Sequence, residues 1–183
     1  MKSLARLGRL FPRNDEIDAV QTRALFDVSP ETVWKGMLFY EEVPRRPMPL
    51  LRMFLPAPVR TRGEKTRIGA VIECTYDRGY LEKRITAVDP ARLVKFDILV
   101  QELGIEDSIS MRGGSYALQG DAHRSELVLT TQYCGHLRPR WLWRRVERFL
   151  AHRLHSHILD GMRLELEASG APAREAPAVP TQS

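Results

Sequence analysis

The chain has 183 residues, of which 43% are hydrophobic, and this length and composition suit one domain with a buried core. Its net charge of +5 permits anionic partners without naming one, and its two cysteines, Cys74 and Cys134, lack the spacing of a metal site or a disulfide framework. We therefore expect reduced thiols in a cytoplasmic protein, since no signal-peptide run or membrane-spanning segment stands out.

The sequence divides into a central folded region and two short ends. Residues 1–14 are basic and predict an N-terminal tail, whereas residues 15–168 carry the alternating and helical patterns of one domain. Residues 169–183 consist mainly of Ala, Pro, Ser and Glu. Because such a composition cannot bury enough apolar surface to offset the entropy of ordering, we predict a disordered C-terminal tail.

The folded region begins with a predicted strand at residues 18–27, followed by a short helix. Ser29 suits the N-cap, Pro30 suits the first helical position, and the helix should end before Pro44. Residues 44–67 then form a connection with several prolines around an apolar run, a pattern that fits either a lid or an ordinary packed loop. The predicted lid residues are Leu50, Leu51, Met53, Phe54 and Leu55.

From Ile68 onward, alternating apolar residues and turn signals predict an antiparallel meander. Its predicted strands are residues 68–76, 80–88, 93–100, 109–118 and 125–134. The Gly113-Gly114 pair predicts a bulge or a strong bend in the fourth of these strands.

The segment from Pro139 to about Ala168 predicts one long amphipathic helix. At about 100° per residue, the predicted buried side is Trp143, Val146, Leu150, Leu154, His157, Gly161 and Leu164. The predicted basic, exposed side is Arg144, Arg145, Arg148, His152, His155 and Arg163. His157 and Gly161 interrupt the apolar stripe, and we interpret this gap as space beside the helix.

Several segments resemble the START-like, helix-grip superfamily, also called SRPBCC, and in particular its bacterial polyketide cyclase/dehydrase-and-lipid-transport type. They are VSPETVW, ITAVDPARLVKFDI, GGSYAL, ELVLTTQY and HRLHSHILDGMRLELE. The resemblance covers about residues 18–168. It implies an α+β fold in which a curved antiparallel sheet of six to seven strands wraps around the C-terminal helix, enclosing a mostly apolar cavity that relatives use for lipids, sterols, polyketides, hormones or quinones.

Candidate ligand-binding residues lie on both predicted walls of that cavity. They are His157, Gly161, Leu154 and Leu150 on the helix, and Tyr76, Tyr116, Tyr133 and Phe96 on the strands. The inward His157 is either hydrogen-bonded in the core or available to a ligand. Further polar candidates are Glu73, Glu82, Arg84 and Asp97, but a shift of one residue in register would turn them all outward.

We assign no catalytic residue, metal or cofactor from the sequence. His152, His157 and Asp160 resemble a two-histidine, one-carboxylate iron site in spacing. However, the two imidazoles lie about 140° apart around a helix and cannot converge on one ion.

Three functions fit these features. The first is a carrier or sensor that binds a hydrophobic small molecule or lipid, with the 44–67 connection as its gate. The second is a polyketide cyclase or dehydratase-like enzyme that uses polar cavity residues such as His157. The third is a non-catalytic interaction module with a basic surface. Several polar groups converging inward would favour chemistry, and a single one would favour binding.

The basic residues also raise the question of membrane contact. The 44–67 connection combines cations with its apolar run, and Arg144, Arg145 and Arg148 form a second basic cluster. This mixture is typical of a segment that touches anionic membrane surfaces transiently, although a soluble surface rich in arginine gives the same pattern. Nucleic-acid binding is not favoured, because the arginines are not interleaved with aromatic residues in a known module.

Overall fold

The structure, a computed structural model, describes residues 15–39, 56 and 58–170 of the chain. Its elements are β1 (Asp18–Phe26), α1 (Pro30–Phe39), β2 (Pro58–Arg62), β3 (Val71–Tyr76), β4 (Gly79–Asp89), β5 (Leu93–Glu102), β6 (Ile109–Gly120), β7 (Ser125–Gly135) and α2 (Arg140–Gly170). The strands form one antiparallel sheet in the order β1-β7-β6-β5-β4-β3-β2. The predicted α+β architecture is confirmed, and so are the five strands of the meander, with ends shifted by up to three residues.

Helix α1 starts as its sequence predicts. The carbonyl of Ser29 accepts hydrogen bonds from the backbone N–H groups of Thr32 and Val33, and Pro30 is the first helical residue. The helix buries Val33 and Trp34 in the core. It therefore closes one end of the curved sheet next to α2.

The 44–67 connection contains a strand that the sequence did not reveal. Strand β2 pairs with β3 at the edge of the sheet, with Thr61 opposite Cys74. It is short, begins with Pro58 and carries two arginines, so it has no apolar alternation to detect. The predicted lid residues Leu50, Leu51, Met53, Phe54 and Leu55 lie outside the described residues, and so do both predicted tails, apart from residues 169 and 170, which extend α2.

The predicted bulge at Gly113-Gly114 is confirmed. The pairing of β6 with β7 shifts register between Met111 and Gly113. Gly114 also pairs with Phe96 on β5, and a Cβ atom at Gly114 would lie 2.9 Å from the Phe96 ring. The missing side chain thus lets the Phe96 ring lie across β6, where it forms part of the inner wall of the sheet.

The buried face of α2 differs from the predicted one. Its buried side chains and glycine, within the part whose side chains are described, are Glu147, His155, Leu159, Gly161 and Met162. His155 is only 3% exposed, so its predicted position on the outer face is wrong, whereas Val146 and Leu164, predicted to be buried, are each 36% exposed. The helical wheel fails here because it treats histidine as a solvated group, whereas threonines on β1 and β7 satisfy both ring nitrogens of His155.

Candidate ligand cavity

Two adjoining chambers lie between the inner face of the sheet and α2. The larger has a volume of about 210 Å³ and the smaller about 100 Å³. The residues that line both chambers are Tyr76, Lys83, Phe96, Tyr116 and Ile158. These shared side chains form the boundary, so the two chambers act as one elongated cavity with two ends.

Most of the candidate ligand-binding residues lie on the cavity wall. Those that line it are Leu150, Leu154, Tyr76, Tyr116, Tyr133 and Phe96. Gly161 is buried but does not contribute to the wall, and neither does His157. The Nε2 atom of His157 is buried and makes no hydrogen bond with the described residues. The cavity nevertheless reaches this part of α2, because Ile158 and Met162 on either side of Gly161 line the smaller chamber.

Lys83 is the cavity residue that sequence reasoning missed. Its side chain lines both chambers, and its Nζ atom lies 4.6 Å from the centroid of the Phe96 ring. Leu81 and Ile85, two positions before and after it on β4, are fully buried. This period of two could have placed Lys83 on the inner face.

The polar strand residues that the sequence suggested instead face away from the cavity. Glu73, Arg84 and Asp97 are exposed, and Glu82 does not line either chamber. Each lies one position away from an inward residue, which is the one-residue error that the alternation of a strand makes possible.

The tyrosines of the cavity keep their phenolic protons at neutral pH. Burial raises the pKa of Tyr76 to about 12, although the neighbouring Lys83 opposes this shift. Burial also raises the pKa of Tyr116, whose ring lies 6.1 Å from that of Phe96. Both hydroxyls are therefore hydrogen-bond donors at the boundary between the chambers.

The far end of the larger chamber carries a second polar group, formed by Tyr133, Thr131 and His155. The hydroxyl of Tyr133 is buried without a hydrogen-bond partner in the described part of the chain, and burial raises its pKa to about 12. His155 Nε2 lies 2.8 Å from the hydroxyl of Thr131, and its Nδ1 lies 3.0 Å from that of Thr22. Burial, with a smaller effect of His152, lowers the pKa of His155 to about 4, so its ring is neutral at pH 7.

A buried ion-pair cluster fixes the start of α2 against the sheet. Arg140 donates to both carboxylate oxygens of Glu147, at 2.7 and 2.9 Å, and to Asp18 on β1 at 2.9 Å. Arg144 forms a further ion pair with Asp18. A Cβ atom at Gly135 would collide with Arg140 and Glu147, so the glycine at the end of β7 makes room for the cluster.

Neither a metal-binding group of side chains nor a membrane-spanning helix is found in residues 15–39, 56 and 58–170. No group of three or more His, Cys, Asp or Glu side chains is placed to hold a metal ion in these ranges. No helix in them is long and apolar enough to cross a membrane. Cys74 and Cys134 are both free and buried.

Solved structures share the fold of this chain, although no family model and no curated protein matches its sequence. The Zhui aromatase/cyclase from Streptomyces sp. R1128 has a TM-score of 0.61 at 17% identity, over 88% of this chain and 100% of that chain. Norcoclaurine synthase from Thalictrum flavum, in complex with dopamine and hydroxybenzaldehyde, has a TM-score of 0.57 at 9% identity, over 86% and 90%. Aha1 from Colwellia psychrerythraea has 0.54 at 12%, over 84% and 99%.

Identities this low establish the shared fold and leave each activity with its own protein. The match extends over the whole fold, because 90% or more of each of these solved chains is covered. The prediction made from the sequence is thus confirmed at this level. The chain has the helix-grip fold, which it shares with these solved structures.

Proposed function

We propose that the protein is a carrier or sensor that binds a hydrophobic small molecule or lipid between its sheet and α2. The observation that carries this proposal is the two-chamber cavity, whose wall is mostly apolar with a few polar groups at its middle and far end. Ligand sites generally have this composition, because the apolar surface contributes affinity and the polar groups fix orientation. Native mass spectrometry of the freshly purified protein should reveal a co-purifying molecule.

Filling the larger chamber should weaken this binding. Ala151 lines that chamber from α2, so Ala151→Phe would place a ring inside it. We expect the Kd for the neutral probe N-phenyl-1-naphthylamine to rise about tenfold or more, since the ring removes the volume that the probe occupies. The measurement is a fluorescence titration of the parent and the variant.

A matched control uses the same substitution on the outside of the sheet. Ala19 on β1 is exposed, so Ala19→Phe should leave the Kd unchanged. Equal affinities of the parent and Ala151→Phe would contradict the proposal that the cavity binds the probe.

The second candidate is an enzyme of the cyclase or dehydratase kind, and one observation favours it. The buried, unpartnered hydroxyl of Tyr133 can donate to a substrate carbonyl in the chamber that the neutral ring of His155 also lines. The carrier ranks first because Thr22 and Thr131 already occupy both nitrogens of that ring. A bound molecule that changes mass during incubation with the parent, but not with Tyr133→Phe, would favour the enzyme.

We also propose that the first half of α2 touches anionic membrane surfaces transiently. Trp141 is 68% exposed and Phe149 is 54% exposed, and Arg145 and Arg148 lie exposed beside them. Apolar rings that enter the acyl boundary next to cations that meet lipid headgroups are typical of interfacial helices. Binding of this kind would bring the larger chamber, which the same helix lines, close to the lipid.

Liposome co-sedimentation tests this contact. The parent should bind vesicles with phosphatidylglycerol more than vesicles of phosphatidylcholine, and high salt should remove the difference. Arg145→Glu/Arg148→Glu should lose the binding, whereas Arg84→Glu, at an exposed position on β4, should retain it. Equal binding to both lipids would contradict the proposal.

A further inference from the structure

The smaller chamber carries an excess of positive charge. Arg60, Lys65 and Lys83 line it, and its described lining residues include no aspartate or glutamate. The chamber therefore places cationic side chains in an otherwise apolar wall.

Lys83 stands at the centre of this charge. The groups around its ammonium are the Phe96 ring, the thiol of Cys74 and the phenols of Tyr76 and Tyr116. The phenols keep their protons at neutral pH, so they give the ammonium no full negative charge. The face of the Phe96 ring attracts the cation, but this attraction is weaker than that of a carboxylate in the same buried position.

The opposite end of the cavity lacks this excess of cations. Its polar residues include Glu147 and Asp107, and no lysine or arginine other than Lys83 lines the larger chamber within the described residues. Arg140 already pairs with both oxygens of Glu147, so the cation available to an anionic ligand group is Lys83. The cavity thus has a direction, from a cationic end beneath β3 and β4 to an end beside the start of α2 that lacks such a cation.

We propose that the ligand is an amphipathic carboxylic acid whose carboxylate binds Lys83 while its apolar body extends into the larger chamber. This inference rests on the proposed binding function and names the class of ligand. The hydroxyls of Tyr76 and Tyr116 donate further hydrogen bonds to the carboxylate, because both side chains line the boundary at which Lys83 lies.

The test compares cis-parinaric acid with its methyl ester, two fluorescent probes with the same apolar body, of which only the acid carries a charge on its head group. At about pH 7.5 the parent should bind the acid about tenfold or more tightly than the ester, since only the acid forms a charge-assisted hydrogen bond with Lys83. Lys83→Met should lose this preference and should bind the ester as the parent does. Retained binding of the ester also reports that the variant is folded.

Two further variants sharpen the comparison. Lys83→Gln keeps a polar head without charge and should also lose the preference for the acid. Lys95→Met removes an exposed lysine on the neighbouring strand β5 and should leave the preference unchanged. Equal affinity of the parent for acid and ester, or a preference that survives in Lys83→Met, would overturn the inference while leaving the binding function intact. Failure of the parent to bind either probe would overturn the binding function itself.

Discussion

Replacing Arg140 by methionine is expected to lower the free energy of unfolding by about 3–5 kcal/mol. Arg140 holds Glu147 with two hydrogen bonds and Asp18 with one, and both carboxylates are buried. Without the guanidinium, Glu147 would remain as a buried charge without its cation, while Asp18 would retain only Arg144. The hydrogen bond with Glu147 also raises the pKa of Arg140, so the guanidinium stays charged at neutral pH.

Urea unfolding of the parent and the variant at neutral pH measures this loss. The matched control is Arg23→Met, since Arg23 pairs with Glu126 at 3.3 Å on the exposed side of β1. A surface pair contributes about 1 kcal/mol or less, so the control should be nearly neutral. A loss for Arg140→Met as small as that of the control would show that water, rather than the arginine, stabilises the two carboxylates.

The sheet was predictable because its strands follow the simplest rule of strand geometry. On β5, Val94 and Phe96 are buried whereas Lys95 and Asp97 are exposed, as alternation requires. The turns between these strands carry glycine, proline and aspartate, so the order of elements could be read as well. Strand β2 was not predicted. It is an edge strand of five residues that pairs on one side only, and its sequence shows no apolar alternation.

The orientation of α2 was harder to predict, because it depends on partners that are distant in the sequence. Glu147 is buried since Arg140 satisfies it, and His155 is buried since Thr22 and Thr131 satisfy its ring. A helical wheel contains neither fact. It therefore placed His155 on the outer face, and it placed His157 on the inward stripe although His157 does not line either chamber.

In the candidate site, the aromatic residues were predicted from the sequence, whereas Lys83 was not. Tyr76, Tyr116, Tyr133 and Phe96 were found because an aromatic residue on an inward strand position usually lines whatever lies inside. Lys83 was missed even though Leu81 and Ile85 flank it at the right spacing. Lysine is rarely buried without a partner, and this expectation outweighed the alternation that pointed inward.

The second large expected effect is a loss of stability at acidic pH, caused by His155. The pKa of His155 is about 4 in the folded protein and about 6.5 in an unfolded chain. Between these values the unfolded state binds a proton that the folded state excludes. The contribution of His155 to stability is therefore complete above pH 6.5, declines as the pH falls toward 4, and changes no further below that. Over this interval, proton linkage at His155 lowers the free energy of unfolding by about 3 kcal/mol.

His155→Gln isolates this effect, because glutamine keeps a hydrogen-bonding head but does not titrate in this range. We expect the unfolding free energies of parent and variant to converge as the pH falls from 6.5 toward 4, with a difference in slope of at most about 1.4 kcal/mol per pH unit. Carboxylates shared by both proteins contribute equally and cancel. His123→Gln, at an exposed turn position, should follow the parent at every pH. Parallel curves for the parent and His155→Gln would mean that the buried ring accepts a proton as readily as a solvated one, which its position between Thr22 and Thr131 contradicts.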